Sequence, residues 1–232
     1  MTTASDLRAS SGLAANAHTV VVLDFETTGL SPDLGDRAIE IGAVLLEDGE
    51  VVDRYQSLMN PGFRINGFIE SYTGISNAML KTARPCEEVM AEFARFIGQH
   101  NLVAHNASFD RRFLDAEFLR IDEPPADRFA CSMLISRRLY PDSPNHKLGT
   151  LVRHCQIPHD GTFHRALADS EMTARLWLTI LDRIDEHYAV REPAFSLMQK
   201  LARVPKQSID NFLARSAGEN LDVRAYTQVN TS

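Results

Sequence analysis

Apolar positions near the start of the chain fall in short, β-branched runs. Thr19–Asp24 (TVVVLD) is continuous enough to be a buried strand. Ala38–Leu46 (AIEIGAVLL) and Val51–Met59 (VVDRYQSLM) read as two further strands, and the Asp-Gly pair at 48–49 between them signals a hairpin. Gly29, Ser31 and Pro32 interrupt the first connection, and Asn60–Gly62 (NPG) closes the meander. The period then becomes helical. Ile75–Lys81 predicts a short helix, and Pro85–Gln99 a longer one with Pro85 at its first position and Val89, Phe93, Phe96 and Ile97 on one face. Leu102–Ala104 is a short strand leading to Asn106, an N-cap for a helix over Ala107–Leu119. Arg128–Arg138 runs from strand into helix, and Lys147–Cys155 and Ala166–Tyr188 read as helices. Three strands in a meander followed by alternating helices and strands predict an α/β fold, one mixed sheet flanked by helices.

Three segments are expected: a flexible leader at 1–17, a main domain at 18–190, and a helical extension at 191–232. The boundary is placed at Glu192-Pro193, and the extension is read as helices over Ala194–Arg203 and Lys206–Arg215 with a frayed polar end. The extension is expected to pack on its own domain and to be dispensable for cleavage. The leader lacks the continuous apolar core of a signal peptide, and no stretch reaches the length of a membrane span, so a cytoplasmic location is expected.

The composition, 44% hydrophobic and 24% charged, is that of an ordinary globular chain. Cys86, Cys131 and Cys155 are widely spaced, which points to reduced, packed thiols. The net charge of −7 weighs against a nucleic-acid partner. Its distribution softens that: residues 1–100 hold 7 basic against 14 acidic residues, whereas residues 101–232 hold 17 of each. Carboxylates that bind divalent cations account for part of such an excess.

Three clusters carry candidate chemistry. Asp24 and Glu26 end an interior strand two residues apart, so both project from one face. Two acids there repel each other unless a cation bridges them, although a solvated strand end is an equal alternative. Asp110 lies in the first turn of the helix opened by Asn106, where an acid also suits the helix dipole. His105 in the same stretch is read as a loop brace. Asp169 sits early in the last long helix, and His164 precedes that helix after a loop containing Gly161.

Taken together, Asp24–Gly29 (DFETTG), Leu102–Asp110 (LVAHNASFD) and His164–Asp169 (HRALAD) resemble the DEDDh family of 3′→5′ exonucleases, which includes the epsilon proofreading subunit of bacterial DNA polymerase III. Arg37–Val44, Thr73–Ser76 and Arg137–Pro141 support the resemblance, which covers about Thr19 to Leu181. It implies a ribonuclease H-like sheet and two divalent cations, Mg²⁺ or Mn²⁺, held by Asp24, Glu26, Asp110 and Asp169. Asp24 would touch both cations, Glu26 and Asp169 would complete the first site, and Asp110 would act near the second. His164 would be the general base. The backbone of Thr27, Thr28 and Gly29 would meet the terminal sugar and base, and Phe109 would pack near that nucleotide or in the core. The implied product is a nucleoside 5′-monophosphate, and the implied partners are single-stranded or frayed 3′ ends of DNA, together with a polymerase subunit if the role is proofreading. Arg165 stands where a sister subgroup carries tyrosine, which favours the histidine class. Thr73 replaces a histidine common in relatives, which questions one contact to the terminal nucleotides. Phe129–Ser132 (FACS) replaces a usual Asp-Thr pair, a change of packing.

Other readings stay open at this stage: trimming of RNA 3′ ends, a free-standing repair nuclease, a non-catalytic nucleic-acid binder, and a zinc module built on His146, His154, Cys155, His159 and His164. Pro158 and the five-residue spacing of three of those histidines disfavour the zinc module.

Overall fold

The two-residue alternation of the first strand decides which side of the sheet holds which core. In the computed structural model, which describes residues 16–159 and 165–217, β1 runs over Val20–Thr27. Val20 and Val22 face one layer, while Val21, Leu23 and Phe25 face the other. β2 (Ala38–Glu47) and β3 (Glu50–Asn60) complete the antiparallel meander. The hairpin between them turns on Asp48 and Gly49, both at positive φ (50° and 85°), the conformation an Asp-Gly loop favours. The expected leader and frayed end fall mainly on residues 1–15 and 218–232, and His164 falls in 160–164; these lie outside the described residues.

Helices α1 (Gly67–Thr73), α2 (Asn77–Thr82) and α3 (Cys86–Ile97) follow, with a two-residue strand β4 (Arg84–Pro85) before α3. β5 (Asn101–Ala104) leads into α4 (Ala107–Leu119), and β6 (Phe129–Cys131) into α5 (Ser132–Leu139). α6 (Leu148–His154), α7 (Ala166–Tyr188) and α8 (Phe195–Leu201) come next, and residues 209–217 are helical. The sheet order is β4-β3-β2-β1-β5-β6, with β5 and β6 parallel to β1. No helix among the described residues is long and apolar enough to cross a membrane.

α7 covers one face of the sheet and α3 and α4 cover the other. Trp177 on α7 is fully buried, and its indole N–H donates to the Ala17 carbonyl at 2.8 Å. Phe195, Met198, Leu201, Ile209 and Leu213 enter this same core. The change of composition near residue 191 is therefore not a break in packing.

Several boundaries differ from the sequence reading. β1 continues three residues past Asp24, so the two acids lie within the strand. Pro85 caps α3 instead of opening it, because it pairs with Asn60 of β3 in extended conformation. α1 has no counterpart in the sequence reading: its buried residues are Ile69 and Thr73, only one of them apolar, too little to show a helical period. Asn106 caps α4 through its backbone in the left-handed region, with no side-chain capping bond.

Candidate active site

The alternation that turns Val20 and Val22 toward α7 turns Asp24 and Glu26 the same way. Asp169, in the first turn of α7, meets them from the opposite layer. One carboxylate oxygen from each of Asp24, Glu26 and Asp169 lies within 4.8 Å of the others. Among the described residues this is the one such cluster of potential ligands, and His146, His154, Cys155 and His159 form none; His164 lies outside the described residues. Asp110 stands outside the trio but beside it: it is 2% exposed, its Oδ1 accepts from the Phe25 N–H at 3.3 Å, and its charge bears on Asp24.

These acids crowd one another away from water. Burial pushes Asp24 well above its ordinary range, and Asp110, Asp169, Glu26 and Glu40 push it further. Glu26 is pushed up to about 8, by burial first and then by Asp169, Glu40 and Asp110, with Arg165 opposing. Burial raises Asp110 to about 7, although hydrogen bonds from the Phe25 and Asp110 backbone N–H groups oppose it. Carboxylates placed like this stay ionised only beside positive charge. Hard oxygen donors that close together suit Mg²⁺ or Mn²⁺, so the donor set fits the divalent cations the motifs imply.

Asp169 depends on how α7 sits on the sheet. A Cβ on Gly42 would come within 2.1 Å of the Leu167 nitrogen and 2.2 Å of the Ala166 carbonyl carbon, so only glycine lets the helix start there. The Ser170 hydroxyl bonds the Gly42 carbonyl at 2.8 Å. Glu40, directly opposite Glu26 in the β1–β2 ladder and fully buried, gathers four donors. They are Arg165 Nη2 (2.7 Å) and Nε (3.2 Å), the Gln56 amide (2.8 Å) and the Ala166 N–H (3.2 Å). With its oxygens occupied in this way, Glu40 holds the helix start and is not a member of the carboxylate trio.

The loop after β1 is built to hold shape. Thr27 Oγ1 donates to the Gly29 carbonyl (2.6 Å), and Thr28 Oγ1 donates to Asp36 (3.1 Å). Asp36 also accepts from the Ser31 N–H (2.9 Å). A Cβ on Gly29 would fall 2.4 Å from the Asp36 oxygens, so a side chain there would push the Asp36 carboxylate off Thr28 and Ser31. Behind the loop, Arg37 makes a two-pronged pair with buried Glu117 (2.8 Å for both contacts). Phe109 is half-buried and leans on Phe113 (ring centroids 5.0 Å), a packing contact. His105 is a brace, as expected: its ring nitrogens meet Ser132 Oγ and the His146 carbonyl, both at 2.9 Å, and burial lowers it to about 4.

Glu40, Gly42, Gln56, Ser170 and two exposed rings escaped the sequence reading. Phe68 and Tyr72, 72% and 52% exposed, stack on each other on α1 (centroids 5.9 Å, planes 13° apart). The Tyr72 hydroxyl is raised by partial burial and then by Glu26, Asp169 and Asp24, which places it within electrostatic reach of the acids. The i,i+4 spacing of the two rings was the available signal.

Comparisons with known proteins agree with this geometry. A family model described as an exonuclease, RNase_T, matches residues 21–177. The chain is 34% identical over 200 residues to the 3′-5′ exonuclease DinG of Bacillus subtilis (strain 168), covering 84% of this chain and 20% of DinG. It is 41% identical over 172 residues to the PolC-type DNA polymerase III of Thermotoga petrophila, covering 71% of this chain and 12% of that protein. The chain thus spans only a small part of these relatives. Among solved structures, Exonuclease X in complex with 5′ overhanging duplex DNA superposes with a TM-score of 0.63 at 27% identity, over 79% of this chain and 99% of that one. The nuclease domain of 3′hExo, a DEDDh family member bound to rAMP, shares the fold (TM-score 0.61, 20% identity, 76% and 96% covered). The mixed sheet is thus the ribonuclease H-like one, and the chain belongs to the RNase_T exonuclease family.

Proposed function

We propose that this chain hydrolyses DNA from the 3′ end, one nucleoside 5′-monophosphate at a time, in proofreading or repair. The observation that carries the reading is the meeting of Asp24, Glu26 and Asp169 within 4.8 Å, beside a rigid loop and two exposed rings. Asp24, Glu26 and Asp169 would hold a divalent cation, and Asp110 would help hold a second. Bound there, the cations would supply positive charge for the phosphate oxygens and for the attacking and departing oxygens. In the net step, water oxygen bonds to phosphorus, the bond to the 3′-oxygen breaks, and that oxygen takes a proton.

The residues of the chain bind and orient. The backbone at Thr27–Gly29 meets the terminal sugar and base. Phe68 and Tyr72 offer faces on which bases stack, a contact indifferent to base identity. His164 takes the proton of the attacking water, a task an imidazole suits near neutrality. Asp24 and Glu26 cannot take this part while they are committed to cations.

DNA is favoured as substrate because the relatives that match most of this chain are named as a 3′-5′ exonuclease and as DNA polymerase III proteins. A proofreading role would set this site beside a polymerase, on the same polypeptide or on another, and we place the activity in the cytoplasm. Product analysis tests the reaction. Mononucleotides bearing a 5′-phosphate should accumulate from the first seconds, and a strand with a phosphorothioate at its 3′-terminal linkage should resist. Release of oligonucleotides, or of 3′-phosphates, would contradict the proposal.

A further inference from the structure

The first hundred residues are acidic, yet two of their cations converge on one groove. Arg37, Arg54 and Arg84 are paired with Glu117, Glu171 and Glu92. Arg64 and Lys81 pair with no carboxylate among the described residues, and both line a groove of about 510 Å³ with Asn60, Phe63 and Asn77. No acid lines it. Glu70, whose charge bears on Arg64, is committed to the Asn77 N–H at 2.6 Å.

The groove is preformed. Asn60 accepts from the Gly62 N–H (2.9 Å), and Asn77 bonds both the N–H and the carbonyl of Ile65 (2.9 and 3.0 Å), which fixes the loop that carries Phe63 and Arg64. Phe63 is 49% exposed. With Phe68 and Tyr72, every exposed aromatic among the described large apolar residues falls between positions 63 and 72. Tyr72, whose hydroxyl feels the charge of Glu26, Asp169 and Asp24, ends this row, and α1, about 10 Å long by helix geometry, separates it from Phe63 at the other end.

We infer that the Phe63–Arg64–Lys81 groove is a second subsite for the same polynucleotide strand, taking nucleotides upstream of the terminal one. This rests on the proposed exonuclease reading. Arg64 and Lys81 contact phosphates, and Phe63 stacks on a base. All three are exposed, so their replacement leaves the core intact. The contacts are indifferent to sequence, and DNA and RNA strands share the chemistry they recognise.

The test compares full-length protein with the Phe63→Ala/Arg64→Ala/Lys81→Ala variant on a dinucleotide and on a strand of about twelve nucleotides, in DNA and RNA forms. For the long strand, KM should rise about tenfold or more with kcat held, while the dinucleotide changes by less than about twofold. In an Asp24→Asn background, where strands bind uncut, Arg64→Ala/Lys81→Ala should flatten the slope of log affinity against log salt by about 1.4, roughly 0.7 for each phosphate contact. Equal effects on short and long substrates, or none on either, would overturn the subsite and leave the exonuclease reading standing. A wild-type protein inert toward both lengths would remove the exonuclease reading itself, and the subsite with it.

Discussion

The Ser170 hydroxyl donates to the Gly42 carbonyl at 2.8 Å, and through this contact α7 lies against β2 one residue from Asp169. The approach leaves no room for a methyl group on residue 42. Gly42→Ala should lift the start of α7, separate Asp169 from Asp24 and Glu26, and cost about 1–3 kcal/mol as an overpacked core does. Thermal melts and cleavage assays check this: both stability and activity should fall, with activity falling further. An unchanged melting temperature would mean that the helix tolerates displacement.

Glu40 anchors the same helix start through charge. Glu40→Gln keeps the volume but weakens both contacts to Arg165 and turns one acceptor oxygen into a donor facing Arg165, Gln56 or Ala166. Arg165 is partly exposed, so the loss should fall below that of a fully buried pair, at about 1–3 kcal/mol. Activity should drop mainly in kcat, because Asp169 is mispositioned while the substrate loop is untouched. A variant as stable and as fast as wild type would show that the clasp positions nothing.

Stripped of divalent cations, the protein should grow less stable as pH rises. Glu26 has a folded pKa of about 8 against an ordinary 4.5, and Asp110 about 7 against 3.8. A carboxyl raised by folding binds a proton more tightly in the native state. Its contribution is therefore full below its unfolded pKa and is lost as pH climbs through the folded one. Melting temperature in EDTA should fall between about pH 4.5 and 8, and Mn²⁺ should restore it, more strongly at the alkaline end. Glu26→Gln should flatten the EDTA profile. A profile already flat in the wild-type protein would contradict the crowding of these acids.

Deleting residues 192–232 should unfold the protein or make it aggregate. Phe195, Met198, Leu201, Ile209 and Leu213 are at most 4% exposed and share a core with Trp177. Each such side chain contributes about 1.5–3 kcal/mol by burial, and five of them rival a domain's total of about 5–15 kcal/mol. This prediction runs against the sequence-based expectation that the segment is dispensable for cleavage. Soluble yield and a melting curve decide it: a truncation that melts like the full chain would restore the expectation.

Much of this was legible beforehand, where periodicity was long or a turn residue was decisive. The helices Ala107–Leu119 and Ala166–Tyr188 and the Asp48-Gly49 hairpin follow from local pattern alone. The alternation of β1 puts Asp24 and Glu26 on one face, and the family resemblance, not local pattern, joins Asp169 to them. What sequence could not give was non-local. Glu40 looks like an ordinary strand acid until Arg165, 125 residues away, is seen on it, and Gly42 looks like a strand weakness until Ala166 is found above it. Phe195 and Leu213 read as an appended helix pair because nothing local says that Trp177 lies beneath them.

Asp24, Glu26 and Asp169 are proposed to form a cation-dependent exonuclease site. The most direct test follows a 5′-labelled single strand with Mg²⁺ or Mn²⁺, beside EDTA and Asp24→Asn controls. A ladder that shortens from the 3′ end should appear with the metal and be lost in both controls. Shortening that persists in EDTA or in Asp24→Asn, or a labelled strand left intact by the metal-loaded wild-type protein, would contradict it.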